Sequence, residues 1–140
     1  MKRRRRTEIL IQGNEQLARG FAETIAKKYE CREISAPQYG MTMIKMRESA
    51  KNSLFYIGEV LVTEAKVEIG GQIGIGIVAG MKEELARNLA IIDAAYKADL
   101  PETAEWQHPL LEMEKDIAQA KSREQAELFE TKVSFETMEV

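Results

Sequence analysis

Few residues in this chain have types and spacings that could do chemistry. They are one histidine, one cysteine, a pair of glycines, a run of arginines and three acids set among apolar neighbours. Gly74-x-Gly76-x-x-x-Gly80 is one residue away from the glycine pattern that cradles a dinucleotide pyrophosphate. That pattern needs its glycines in a loop between a parallel strand and a helix. Here the first two fall inside a strand pattern, which makes them packing glycines. His108 stands alone, so it cannot build a histidine-based metal site, and to act in a triad it would need an acidic or nucleophilic partner. It precedes Pro109 near a helix start, which suits a solvated or capping role. Cys31 has no second cysteine at C-x-x-C spacing and reads as an ordinary small hydrophobe. As a nucleophile it would need nearby positive charge, and Arg32 alternates to the other face. Lys2 to Arg6 could hold phosphates through arginine's planar fork of donors, or could pair with acids. No interleaved aromatics accompany the run, as a nucleic-acid surface would require. Glu59, Glu64 and Asp93 are expected to be structural ion-pair partners, with Arg47 and Glu48 as candidate counterparts, or else members of a composite site.

The elements that must position these groups centre on Gly58 to Ala95. Val60 to Ile69 has the two-residue period of a half-buried strand, and Gly70-Gly71 can supply the positive φ angles of a tight hairpin. Ile73, Ile75 and Ile77 share one face of the return strand, and Gly74, Gly76 and Val78 share the other. Glycines on one sheet face let the following helix approach the backbone closely. That helix begins after Gly80, with Leu85, Leu89, Ile92 and Tyr96 at helical spacing, backed by Ala86, Ala90 and Ala94. Upstream, residues 2–12 read as a short helix ended by Gly13. Asn14 caps a second helix that buries Leu17, Phe21, Ala22 and Ile25. Tyr29 to Ala36 reads as a strand stopped by Pro37, and Met41 to Arg47 as another. Ser49 to Ser53 is a polar turn, and Leu54 opens the long strand of the hairpin. After Pro101, Thr103 is expected to cap a thinly apolar helix carrying Leu110, Met113 and Ile117, followed by a strand-like piece with Val133 and Phe135 on one face.

The fold class expected is therefore α+β, an antiparallel sheet of about four strands packed by helices. Residues 1–100 would form the core and 101–140 a helix-and-strand interaction arm. The composition agrees with one domain: 140 residues carry 20 basic and 23 acidic side chains, a net charge of −3. The charge is uneven, with nine basic against five acidic residues in 1–34 and four against ten in 101–140. Such asymmetry often marks interaction surfaces. A single cysteine suits a reducing cytoplasm, and no apolar run approaches the ~20 residues of a membrane span.

The order of strand, Gly-Gly turn, Gly-x-Gly strand, Gly80 and Ala90-Ile91-Ile92-Asp93-Ala94 resembles the small G subunit of the bacterial carbon-phosphorus lyase system. The likeness continues through Met46-Arg47-Glu48, Pro109-Leu110, Ser122 to Glu127, Thr131 to Phe135 and Thr137-Met138. What the resemblance implies is an accessory subunit, without catalytic residues, cofactor or metal of its own, in a core complex with H, I and J subunits. The complex would act as a transferase: the I subunit displaces adenine from ATP with methylphosphonate, giving α-D-ribose 1-methylphosphonate 5-triphosphate. The J subunit then uses S-adenosylmethionine and an iron–sulfur cluster. Partner contacts are expected at Arg123, Lys132, Val133, Phe135 and Met138, mainly toward the I subunit. The alternative is a self-contained homodimeric module that binds an anionic ligand through the arginine run.

Overall fold

The computed structural model describes the backbone of residues 1–47 and 54–138 and the side chains of residues 1–43 and 58–129. Two helices open the chain, α1 (Arg3–Gln12) and α2 (Glu15–Lys28). Three strands follow, β1 (Arg32–Arg47), β2 (Leu54–Ile69) and β3 (Gln72–Ala79), and then helix α3 (Glu83–Lys97). A 3-10 turn (Pro101–Trp106) leads into the long helix α4 (Gln107–Met138). The sheet is antiparallel with the order β1-β2-β3.

The β2–β3 hairpin turns as its glycines require, with Gly70 at φ 57° and Gly71 at φ 81°. Gly74 and Gly76 face α3, and the helix lies so close that a Cβ on Gly74 would fall on the backbone of Ala90 and Ala94. A Cβ on Gly76 would fall on the carbonyl of Ala86. The helix meets the glycines with alanines, so small residues on both sides set the distance between the layers. Thr63, fully buried on β2, fixes where α3 begins. Its hydroxyl donates to the Gly80 carbonyl at 2.6 Å and accepts from the Lys82 amide at 3.0 Å.

Helix α3 is the centre of the molecule. Every residue from Leu89 to Ala95 is buried, a pattern found in a helix covered on several sides. The sheet covers one side and α2 another, through Ala18, Ala22 and Ile25. Asn14 caps α2 by accepting the Gln16 amide at 2.9 Å. Trp106, brought in by the 3-10 turn, stacks on Phe21 with ring centres 4.5 Å apart and meets Tyr96 edge-on at 5.6 Å.

Three expectations require correction. The two strands expected on either side of Pro37 are one strand, Arg32–Arg47, so the described sheet has three strands and not four. β1 is an edge strand, and its register slips between Ser35 and Gln38, a bulge that accommodates Pro37 without a ladder amide. The strand expected around Val133 and Phe135 is instead the end of α4. Ser122 to Glu130 is almost wholly strong helix formers, and an existing helix extends at one hydrogen bond per residue, whereas an isolated strand gains nothing until it is paired. Thr103 does not cap the last helix. It lies within the 3-10 turn, its hydroxyl donates to the Leu100 carbonyl at 2.7 Å, and α4 begins four residues later. Beyond these, the polar turn over Ser49 to Ser53 lies outside the described residues.

Candidate functional site: a buried arginine–aspartate cluster and the surfaces around it

The arginine run belongs to α1, which lies against α3 and α4. A helix places successive side chains about 100° apart, so four consecutive arginines cannot share one environment. Arg6 turns inward with Ile9 and Leu10 and is 6% exposed. It reaches Asp93, 5% exposed, with Nη2 3.1 Å from Oδ1. Its guanidinium lies over the Tyr96 ring, 3.9 Å from the centre. Burial pulls Arg6 below the ordinary arginine range, and the Asp93 carboxylate opposes that shift. Burial also raises the Tyr96 phenol, while Arg6 acts to lower it.

The other arginines divide between the buried aspartate and surface acids. Arg3 lies 3.1 Å from Asp93, Arg4 pairs with Glu8 one turn on, and Arg5 grips Glu114 of α4 with two donors, one at 2.8 Å. The Arg5 guanidinium holds the Glu114 carboxyl below its usual range. Lys97 completes the group around Asp93 at 3.3 Å. The run therefore pairs with acids, the second of the two roles open to it. The sequence placed Asp93 beside the apolar helix face but pointed to Arg47 and Glu48 as partners. Its partners are Arg3, Arg6 and Lys97, and the side chains of Arg47 and Glu48 lie outside the described residues. Only folding brings Arg6 next to Asp93, 87 residues away.

Among the other candidates, Glu64 on β2 pairs with Lys66 at 3.6 Å, and Glu59 is exposed. Cys31 is half-buried, its thiol 3.8 Å from the Tyr29 carbonyl, and burial raises its pKa. That shift disfavours the thiolate a nucleophile needs. His108 is exposed in the first turn of α4. Gly74 and Gly76 lie in β3 against α3, as packing requires and a phosphate loop does not. Among the described residues no group of three or more His, Cys, Asp or Glu could hold a metal ion. A shallow cleft of about 440 Å³ opens beside Ile77, between β3 and α1, with Arg3, Arg4 and Glu8 on its rim and Leu89 at its base.

Two exposed apolar surfaces stand out. β3 pairs with β2 only from Val62 to Ile69, so β1 and β2 run past it as a two-stranded ribbon. On the α3 side of that ribbon Met41 and Met43 are more than half exposed, with Leu61 beside Met41 and Met81 in the loop after β3. The second surface is the far part of α4. Leu110 is buried in the core and Ile117 packs against it, but Ala118 to Phe129 are all exposed, Phe129 at 68%.

The family model of the phosphonate metabolism protein PhnG matches residues 1–139, nearly the whole chain. The chain belongs to this family. Its apolar side chains emerge at the ribbon and at the far part of α4, as in a subunit of a larger assembly. No curated protein matches the chain closely enough to be called a relative. Of the residues expected to meet partners in this family, Arg123 is exposed on α4. Lys132, Val133, Phe135 and Met138 occupy the last turns of the same helix, and their side chains lie outside the described residues. Sequence reasoning missed Arg6, Thr63 and Trp106. Only Arg6 left a signal, since it falls three residues before Ile9 and four before Leu10, on the same helical face.

Proposed function

We propose that this chain is an accessory subunit of the carbon-phosphorus lyase core complex, working mainly against the I subunit and also alongside H and J. Its role is to support formation of α-D-ribose 1-methylphosphonate 5-triphosphate from ATP and methylphosphonate. The observation that carries this reading is the family match across residues 1–139. The side chains fit it. Arg3, Arg5 and Arg6, the cations best placed to grip a triphosphate, are engaged with Asp93 and Glu114. Displacing adenine requires activation of the anomeric carbon or its leaving base within a pocket that excludes water. In this reading ATP, the S-adenosylmethionine and the iron–sulfur cluster are bound by partner subunits. The rival, a homodimeric module for an anionic ligand, draws its only support from the arginine run, and that run faces acids of its own chain.

The test is adenine release by the reconstituted partner subunits with and without this chain. Release is expected to require the chain, to be absent from the chain alone, and to survive His108→Ala and Cys31→Ser nearly unchanged. Release by the isolated chain, or its loss in His108→Ala with assembly intact, would overturn the reading.

A further inference from the structure

The sheet has two edges, and they are treated differently. An edge strand offers a row of unpaired main-chain amides and carbonyls on which another strand can form. β3 pairs with β2 on one side, and on the other its outward groups belong to Ile73, Ile75 and Ile77, by the alternation of an antiparallel ladder. Three of these six groups, the Ile75 amide and the Ile73 and Ile75 carbonyls, are occupied by side chains. Asp93 Oδ2 accepts the Ile75 amide at 2.9 Å, Lys97 Nζ donates to the Ile73 carbonyl at 2.8 Å, and Arg3 Nη2 reaches the Ile75 carbonyl at 3.5 Å. Arg3 and Lys97 are themselves held by Asp93, at 3.1 and 3.3 Å. One buried carboxylate thus places a row of substitutes for a fourth strand. The β1 edge is handled by other means, the proline at 37 and register slips on either side of Ser35.

We propose that Asp93, with Arg3 and Lys97, is an edge guard that stops β3 from pairing with β3 of a second copy of this chain. The need for a guard is legible in the strand. Ile73 and Ile77 are 45% and 49% exposed, and an apolar edge with open main-chain groups invites a second copy. Asp93 therefore does more than neutralise Arg6. Its second oxygen serves the strand, and a buried pair replaced by apolar residues would keep the core while leaving the edge open.

The test uses the full chain carrying Asp93→Ala with Arg6→Leu, a pair chosen so that no buried charge is left alone. Sedimentation velocity across a concentration series, with circular dichroism as the check on folding, is expected to show self-association at a concentration at least about tenfold lower than for the parent. Adding Ile77→Lys, a charge on the exposed edge, is expected to reverse that association and to leave the parent unaffected. Arg3→Ala with Lys97→Ala alters only surface side chains and keeps the buried pair. It is expected to associate at concentrations between those of the other two proteins, and it decides the matter if the first variant does not fold. Association no stronger than the parent's in a folded variant, or association that persists with Ile77→Lys, overturns the proposal.

Discussion

At the scale of single residues, two glycines separate space from conformation. Gly76 sits where a side chain would strike the Ala86 carbonyl and the Ala90 amide, both backbone atoms of a buried helix that cannot yield. Gly76→Val should cost roughly 1–3 kcal/mol, the usual range for overpacking, read as a lower urea midpoint. Gly20 is inside α2, and a methyl group there would meet nothing within 4 Å. Gly20→Ala should raise stability by about 0.5–1 kcal/mol, because glycine loses more backbone freedom on entering a helix. If Gly76→Val leaves the midpoint unchanged or raises it, the close approach of α3 to β3 is not what Gly76 serves. The same close approach leaves no room for a cofactor over these glycines, so titration with NAD should show no saturable binding.

At the scale of elements, α4 divides at Ile117. Up to that point the helix belongs to the core through Leu110, Met113 and Ile117. Beyond it twelve residues are exposed, among them Leu128 and Phe129. A helix that long and that thinly apolar gains little from its own domain. Deleting residues 122–140 should therefore leave the thermal midpoint nearly unchanged, since every residue of the described core is retained. Co-purification with the partner subunits should be lost. A truncated protein that still binds them at full strength would move the interface elsewhere, most simply to the exposed methionines of the β1–β2 ribbon.

At the scale of the whole molecule, the basic beginning and acidic end of the chain serve partly to hold it closed. Arg5 meets Glu114, while Lys28 and Tyr29 meet Glu102, with the Tyr29 hydroxyl donating to Oε2 at 2.9 Å. Glu102 is held below its usual range first by its own backbone amide and then by Tyr29 and Lys28, with burial opposing them. Glu114 is held down by Arg5. Both folded pKa values lie below the unfolded ones, so their contribution is fully present above the unfolded carboxylate pKa of about 4.5 and is lost as pH falls. The thermal midpoint should drop between pH 6 and pH 3, and Glu102→Gln with Glu114→Gln should show a smaller drop over that interval. A drop of equal size in both proteins would mean that other carboxylates govern the acid limb. No described helix is long and apolar enough to cross a membrane.

The sequence by itself determined the local grammar of the fold. Glycine pairs that must adopt positive φ, an asparagine that caps, and alanines and leucines at helical spacing each act within a few residues, so the hairpin, α2 and α3 were legible as they stand. The family was legible for a related reason, since its likeness is carried by short motifs in a fixed order. Only the tertiary structure decided the rest. Pro37 ends a strand by local rule, yet it is tolerated because β1 became an edge with a bulge. Val133 and Phe135 alternate as a strand would, yet the helix before them continues through. Helical spacing puts Arg6 on the face of Ile9 and Leu10, yet three-dimensional packing alone brings it to Asp93 and sends Arg5 across to Glu114. Charge pairing and edge protection depend on distances between residues far apart in the chain, and spacing along the sequence carries no measure of those distances.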